Sequence, residues 1–381
     1  MSNRPERFYS LDVLRGVAAL SIVVWHWKHF FTDGARLSPA FHTERQPLFA
    51  LLHPLYTHGD FAVDLFFSLS GFIFYWLYSA RVADRSISVR EFLVLRFSRL
   101  YPLHFVTLIA VAIGQAVFLR MSPTPFVYAD NDLYHFALNL LFLNGSGLQK
   151  GYSFNGPNWS ISVEVLMYAL FFLACRFLPV RWPVVLAMPF VGYFALSKIN
   201  YGISRGILSF FLGGCVYFLY DALLRSSWRE RITVALPTVW AALCLLTGGW
   251  LYRSWGAGTF LASPRLTYLF ITVVLFPLTI LMLALSETRR GSLGKRFAVI
   301  GDLSYGSYLL HFPLQLLAMI LTTALAIDRS IYYSPLSLLA FYVVLIVLSF
   351  LTFRHFEKPM QRYFRTRWLP AKPGSRSERR S

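Results

Sequence analysis

Arg15 and His26 stand eleven residues apart in the apolar stretch LDVLRGVAALSIVVWHW, residues 11–27. A charged side chain at the centre of a bilayer helix costs about 2.5–3.5 kcal/mol on insertion scales, so one that is kept there turns inward and marks a site. At 1.5 Å per residue the two lie about 16 Å apart along a helix axis. Arg15 then sits near one end of the span and His26 past its midplane. A guanidinium binds phosphate oxygens bidentately and stays charged. A histidine held by an acidic partner is the usual general base. The first apolar stretch therefore carries a phosphate-binding group and a proton acceptor, half a membrane apart.

Other stretches extend this pair. In RFSRLYPLHF (96–105), Arg96 and Arg99 are three apart and share a helix face. Each arginine alone would read as a snorkelling headgroup anchor; Arg15, Arg96 and Arg99 at one mouth read as a seat for phosphates. GPNWSISVEVLMYAL (156–170) puts Ser160 and Glu164 on one face near the opposite end of another span, and GDFAVDLFFSLSGF (59–72) does the same for Asp60 and Asp64. The expected catalytic set is His26, Glu164 and Asp64, gathered in the half of the bundle away from the arginines. His311, in GDLSYGSYLLHFP (301–313), is a second candidate, whereas His104 and His355 read as structural. Asn158, Ser160 or an arginine is placed to donate to an oxyanion, and Trp159, with Trp25, Trp27 and Tyr152, to stack on a sugar face. His26 and His29 are three apart, but no carboxylate or cysteine completes a ligand set, so no metal is expected. There is no glycine-rich phosphate loop and no G-x-S-x-G elbow.

The elements that must hold these residues are helices. The chain has 381 residues, 56% hydrophobic and 14% charged, where a soluble domain carries about a quarter charged. The fold class is all-α: a polytopic membrane bundle of about ten spans with one short re-entrant or interfacial helix. The spans fall near 11–31, 60–80, 92–119, 159–178, 183–199, 203–223, 233–252, 267–287, 299–326 and 335–356. An eleventh apolar stretch, 132–143, would reverse the placing of the basic segments RSSWRER (225–231) and TRRGSLGKR (288–296). It is too short to cross a core that needs about twenty residues, and is assigned as the short helix. Lys and Arg in the connecting segments then favour one side, expected to be cytoplasmic together with both termini.

That bias accounts for the net charge of +18 without nucleic acid. The membrane domain is expected over 1–365 and a basic, disordered tail over 366–381. Cys175, Cys215 and Cys244 lie in apolar segments and imply no disulfide framework. The first stretch lacks a small-residue cleavage site and reads as a retained span. The long segment 120–158, rich in Gly, Asn and Tyr, suits either a lid or acceptor-binding loop or an ordinary connector.

In order along about residues 8–365, these stretches resemble the acyltransferase 3 family of integral membrane acyltransferases. The resemblance rests on Asp12, Arg15, Gly16 and His26; on Phe66 to Phe72; on Arg96 and Arg99; on Trp159 to Glu164 with Tyr168; on Ser304 to His311; and on Glu357 to Pro359. It implies transfer of an acyl group, usually acetyl, from cytoplasmic acyl-CoA to a hydroxyl of an extracytoplasmic saccharide or glycolipid. His26 would be catalytic, as base or acyl carrier, and Arg15, Arg96 and Arg99 would bind the donor. No tightly bound cofactor is implied, acyl-CoA being a co-substrate. Lacking the fused extracytoplasmic domain of some members, the chain is expected to acylate its acceptor directly or through a partner or oligomer, in a bacterial inner membrane. The alternative reading is a proton-coupled secondary transporter with His26 and Glu164 or Asp64 as a relay; the absence of repeats and the three gathered arginines speak for the enzyme.

Overall fold

The computed structural model describes residues 5–180, 182–195, 200–253 and 263–370. Its helices, in chain order, are α1 (Tyr9–Trp25), α2 (Phe49–His58), α3 (Phe61–Ala83), α4 (Val89–Phe118), α5 (Leu133–Leu140), α6 (Trp159–Phe177), α7 (Trp182–Ala195) and α8 (Tyr201–Arg225). They continue with α9 (Arg229–Arg253), α10 (Pro264–Phe270), α11 (Phe276–Arg290), α12 (Ala298–Asp302), α13 (Ser304–Ala324), α14 (Pro335–Thr352) and α15 (Lys358–Trp368). Among the described residues the only sheet is a two-stranded antiparallel hairpin, Thr32–Asp33 with Arg36–Leu37. Eight helical runs are long and apolar enough to cross a bilayer. These eight fall on eight of the ten expected spans; the other two coincide with α1, of 17 residues, and α7, of 14, which are shorter. The protein is an all-α integral membrane bundle. Helix α5, with 8 residues, is about 12 Å long and cannot cross.

The structure departs from expectation at the end of the first span. Helix α1 stops at Trp25, and His26–Phe31 continues as a 3-10 helix. His26 is therefore at a helix end and not deep inside one. The tighter winding, three residues per turn, eclipses positions i and i+3. That stacks the His26 ring on His29, with centroids 4.7 Å apart and planes 20° from parallel. At the other end of the chain α15 runs on to Trp368, so Thr366, Arg367 and Trp368 of the expected tail are helical. Residues 371–381 of that tail lie outside the described residues.

Prolines shape three of the long helices. A proline ring clashes with the carbonyl four residues back. Pro277 and Pro359 would meet Val273 and His355, and in both places the helix widens to a π turn, Ile271–Leu275 and Phe353–Glu357. Pro313 in α13 leaves the Leu309 carbonyl without its helical partner, and Asn155 Nδ2, from the loop before α6, donates to it at 3.0 Å.

Glycines let two helix pairs meet backbone to backbone, the usual device where lipid offers no hydrophobic drive between helices. A Cβ on Gly16 would fall onto the Ile300 carbonyl, and one on Gly301 onto the Asp12 backbone, so α1 lies against α12 and the start of α13. Gly71 and Gly213 do the same for α3 and α8, against the carbonyls of Phe210 and Ser68. Gly71→Val is expected to destabilise the bundle by about 1–3 kcal/mol or more through overpacking. Gly248→Ala, where nothing lies within 4 Å of a Cβ, should leave thermal unfolding in detergent unchanged or slightly higher; equal melting temperatures for both variants would refute the close approach.

Candidate active site

The three expected donor arginines do come together. A cavity of about 90 Å³, room for several waters, is lined by Arg15 of α1, Arg96 and Arg99 of α4, Ser160 and Glu164 of α6, and Ser304 and Tyr308 of α13. Arg15 is anchored: its Nη2 is 3.0 Å from Asp12 Oδ1 and its Nε donates to Ser304 Oγ at 3.0 Å. Asp12 is also held by Arg7 at 2.6 Å, so its charge is shared between two guanidiniums. Arg96 Nη2 donates to the Tyr78 hydroxyl at 2.6 Å, its guanidinium lies 5.0 Å from the Phe74 and Tyr78 ring centres, and its Nε is buried without a partner. Arg99 makes no hydrogen bond or ion pair among the described residues.

Glu164 corrects the expected division of the bundle. It lies on the arginine cavity, and its Oε1 accepts from Ser70 of α3 and from Tyr168, one turn on, at 2.6 Å. Ser160 and Glu164 share a face at i, i+4 as anticipated, and both point into the cavity. Ser162, on the opposite face, ties α6 to the preceding loop by donating to the Phe142 carbonyl at 2.5 Å and accepting from Gly145 N at 3.0 Å. This is why the two serines of the W-S-x-S-x-E stretch serve different neighbours.

Asp64 is placed elsewhere. Arg205 of α8, which sequence reading passed over, pairs with it at 2.5 Å, and Ser209 and Tyr268 donate to Asp64 Oδ1 at 3.0 Å each. Both partners are buried, and Arg205 Nη2 also donates to the Asp60 carbonyl at 2.9 Å. A buried charge needs a partner, and Arg205 stands inside an apolar helix as Asp64 does. That symmetry was the available signal. Neither expected carboxylate therefore meets His26.

The partner of His26 is His311. His26 Nδ1 and His311 Nε2 are 2.9 Å apart, the rings 5.0 Å between centres and 2° from parallel. His311 Nδ1 is 2.6 Å from the Tyr308 carbonyl. A carbonyl only accepts, so His311 carries its proton on Nδ1 and offers a bare Nε2. His26 must then donate from Nδ1, which leaves its own Nε2 as a lone pair without a partner among the described residues. Gln315 fixes the backbone beneath: its Nε2 donates to the His26 carbonyl at 2.9 Å, while its Oε1, 3.0 Å from His29 Nδ1, accepts from that ring. In the sequence His29 is weighed only as a metal ligand beside His26, and Gln315 has no signal, because only the 3-10 turn and α13 bring them there. Among the described residues no group of three or more His, Cys, Asp or Glu is arranged to hold a metal.

Tyr308 links cavity and histidines. Its hydroxyl donates to the Pro157 carbonyl at 2.7 Å and receives the Ser160 hydroxyl at 2.7 Å, closing the inner end of the cavity. One turn further along α13 is His311. The segment 120–158 packs over this end. Tyr128 sets its ring 5.9 Å from that of His29 and 5.2 Å from that of Phe312. Gln115 of α4 holds Phe126 by both backbone groups, at 2.8 and 3.0 Å. Asn158, buried, donates to His104 Nδ1 at 3.3 Å, and His104 Nε2 donates to the Asn139 carbonyl at 2.8 Å, so His104 braces the loop. Trp159 lies 6.5 Å from Tyr152 and 5.8 Å from the Arg205 guanidinium. Exposed Tyr152 and half-buried Trp25 and Trp159 border the far mouth, while Trp27 is fully buried and donates to the Tyr332 carbonyl at 2.8 Å.

Comparison with known proteins adds an identity in sequence. Residues 8–354 match the family described as "Acyltransferase domain". The chain is 30% identical over 347 residues to "Acyltransferase MdmB" of Streptomyces mycarofaciens, covering 82% of this chain and 80% of that protein. It is 34% identical over 184 residues to "Protein 2 in picA locus" of Rhizobium radiobacter, covering 44% of this chain and 82% of that one. With "Peptidoglycan O-acetyltransferase OatA" of Listeria monocytogenes it shares 23% identity over an alignment of 387 positions, 93% of this chain but 56% of that protein. No solved structure matches.

The two carboxylates now separate by experiment. Asp64→Ala should cost about 3–5 kcal/mol by leaving Arg205 buried with only its longer pair to Asp60, at 3.5 Å. Glu164→Gln, which keeps its hydrogen bonds to Ser70 and Tyr168, should unfold at the wild-type temperature. Thermal unfolding in one detergent checks both; a stable Asp64→Ala protein would show that the pair is not structural.

Proposed function

Since this chain belongs to the acyltransferase family whose domain spans residues 8–354, we propose that it is an O-acetyltransferase of the bacterial inner membrane. It takes the acyl group from cytoplasmic acyl-CoA and passes it to a hydroxyl of an extracytoplasmic saccharide or glycolipid. The observation that carries this reading is the bare Nε2 of His26, set by the His311 relay beyond the inner end of an arginine-lined cavity. The arginines receive the donor's phosphates, and the thioester arm extends along the cavity toward Ser160 and Tyr308. His26 Nε2 takes the acceptor's hydroxyl proton as the oxygen bonds to the thioester carbonyl carbon. Ser160, at the cavity end, turns its one hydroxyl proton from Tyr308 to the oxyanion that forms. When the carbon–sulfur bond breaks, the thiolate takes the proton from His26.

Sidedness follows from the same frame. Arg7 of the N-terminal segment bonds Asp302 at 2.8 Å, and Arg365 near the other described end reaches Ser98 at 3.3 Å, so both described ends lie at the arginine mouth. The basic segments around 225–231 and 288–296 make that mouth the cytoplasmic one. The saccharide acceptor is supported by the named activity of the Listeria relative and by the aromatic side chains at the far mouth.

The test uses purified protein in nanodiscs with radiolabelled acetyl-CoA and a crude glycan extract. His26→Ala should bind donor yet lose about 10²- to 10⁴-fold in turnover. His311→Phe, which frees the His26 tautomer, should lower kcat by up to about 10⁴-fold with KM for the donor unchanged. Full turnover by His26→Ala would overturn the assignment. A stoichiometric burst of CoA without acceptor would make His26 the acyl carrier instead of the base.

A further inference from the structure

Helix α15 is more than the end of the last span. After the π turn at Phe353–Glu357 its ring pair Phe364 and Trp368, one turn apart, closes on Phe97 of α4 with centroids 5.6 and 5.4 Å away. This clamp turns Arg365 inward: its Nε donates to Ser98 Oγ at 3.3 Å and its Nη2 to Gln361 at 3.3 Å. Ser98 is buried and lies between Arg96 and Arg99 in α4. Lys358, Arg362 and Arg367 of the same helix are exposed, as headgroup anchors are. Arg365 is instead brought to two other guanidiniums, and among the described residues none of the three has a carboxylate partner. Three guanidiniums gathered beside two carboxylates, Glu164 on the same cavity and buried Glu357 near Arg99, leave an excess of positive charge, and Arg96 keeps a buried Nε with nothing to donate to. The arrangement is a phosphate site awaiting its anion.

We propose that α15 is a strap across the arginine mouth and that Arg365 binds the phosphates at the nucleotide end of the donor, with Arg96 and Arg99 beside it. The inference rests on the acyl-CoA reading above and adds a residue to it that lies outside the recognised stretches. The same chemistry would suit a phospholipid headgroup, and the experiment separates the two sources.

The measurement is calorimetric binding of CoA, 3′-dephospho-CoA and 4′-phosphopantetheine to the full chain, in lipid-free detergent and in nanodiscs of anionic lipid. The proteins are wild type, Arg365→Ala, Arg365→Lys and Trp368→Ala, each checked for a wild-type melting temperature in detergent. Arg365→Ala is expected to weaken CoA binding in detergent by about 10- to 100-fold, the range for a lost bond to a charged group, and to leave 4′-phosphopantetheine unchanged. Arg365→Lys should fall between, and Trp368→Ala should follow Arg365→Ala by loosening the strap. Unchanged CoA affinity in Arg365→Ala overturns the proposal while leaving the donor reading intact. So does a deficit confined to anionic nanodiscs, which assigns Arg365 to headgroups. Failure of the wild type to bind CoA overturns both readings.

Discussion

The site depends on α1 meeting α12 backbone to backbone and so lying parallel to α13, which follows α12 directly. Gly16 and Gly301 remove the side chains that would hold them apart, and in lipid such close packing replaces the hydrophobic drive between helices. Once the helices are in register, Arg15 meets Ser304 at the arginine end and His26 meets His311 at the other. Eleven residues separate the pair on α1 and seven separate their partners on α13. The register can close over both because the guanidinium is long and because the 3-10 turn swings His26 off the α-helical path. A side chain at Gly16 would thus move donor mouth and imidazole together, without touching either.

Charge inside this bundle is of two kinds, and their surroundings tell them apart. Arg205 is buried against Asp64 with two further donors on the carboxylate; both carboxylate oxygens are hydrogen-bonded, and the pair staples α3 to α8. Arg96 and Arg99 have aromatic rings, a tyrosine hydroxyl and open space, but no anion. Three guanidiniums at one cavity outnumber the carboxylates near them, which suits an anion supplied from outside the chain. Glu164, on the same cavity, offsets one of these charges without pairing directly, because Ser70 and Tyr168 hold its carboxylate.

Much of this was legible in one dimension. Apolar lengths located the eight spanning helices and the shorter α1 and α7, and the sidedness of Lys and Arg demoted 132–143, which forms the eight-residue α5. Three arginines predicted at one mouth line one cavity. What escaped were the pairings. Asp64 and His26 were both expected in the same half, and depth alone cannot say which helix faces which. Arg205, sitting in a helix whose register was not considered, takes the aspartate. His311 was a lesser candidate because a lone imidazole carries no sign of what its two nitrogens do. Arg365 was lost at a boundary, where a π turn caused by Pro359 extends the last span into α15.

A histidine pair in place of a histidine–carboxylate pair has a consequence for the proposed chemistry. A carboxylate beside His26 would need compensation of its own, as Asp64 does. The relay here ends on the Tyr308 carbonyl and stays neutral at rest, which suits a low-dielectric site. The same neutrality means that an imidazolium at His26 gains only dipoles, from His311 and the carbonyl behind it, and no ion pair. Protonated His26 is then a short-lived species, and the departing thiolate is the nearest group basic enough to discharge it. The arrangement favours a path in which proton abstraction, acyl transfer and thiol release are tightly coupled. Replacing His311 by an acidic side chain would stabilise the imidazolium and slow its discharge, although it would supply the partner that catalytic histidines usually have.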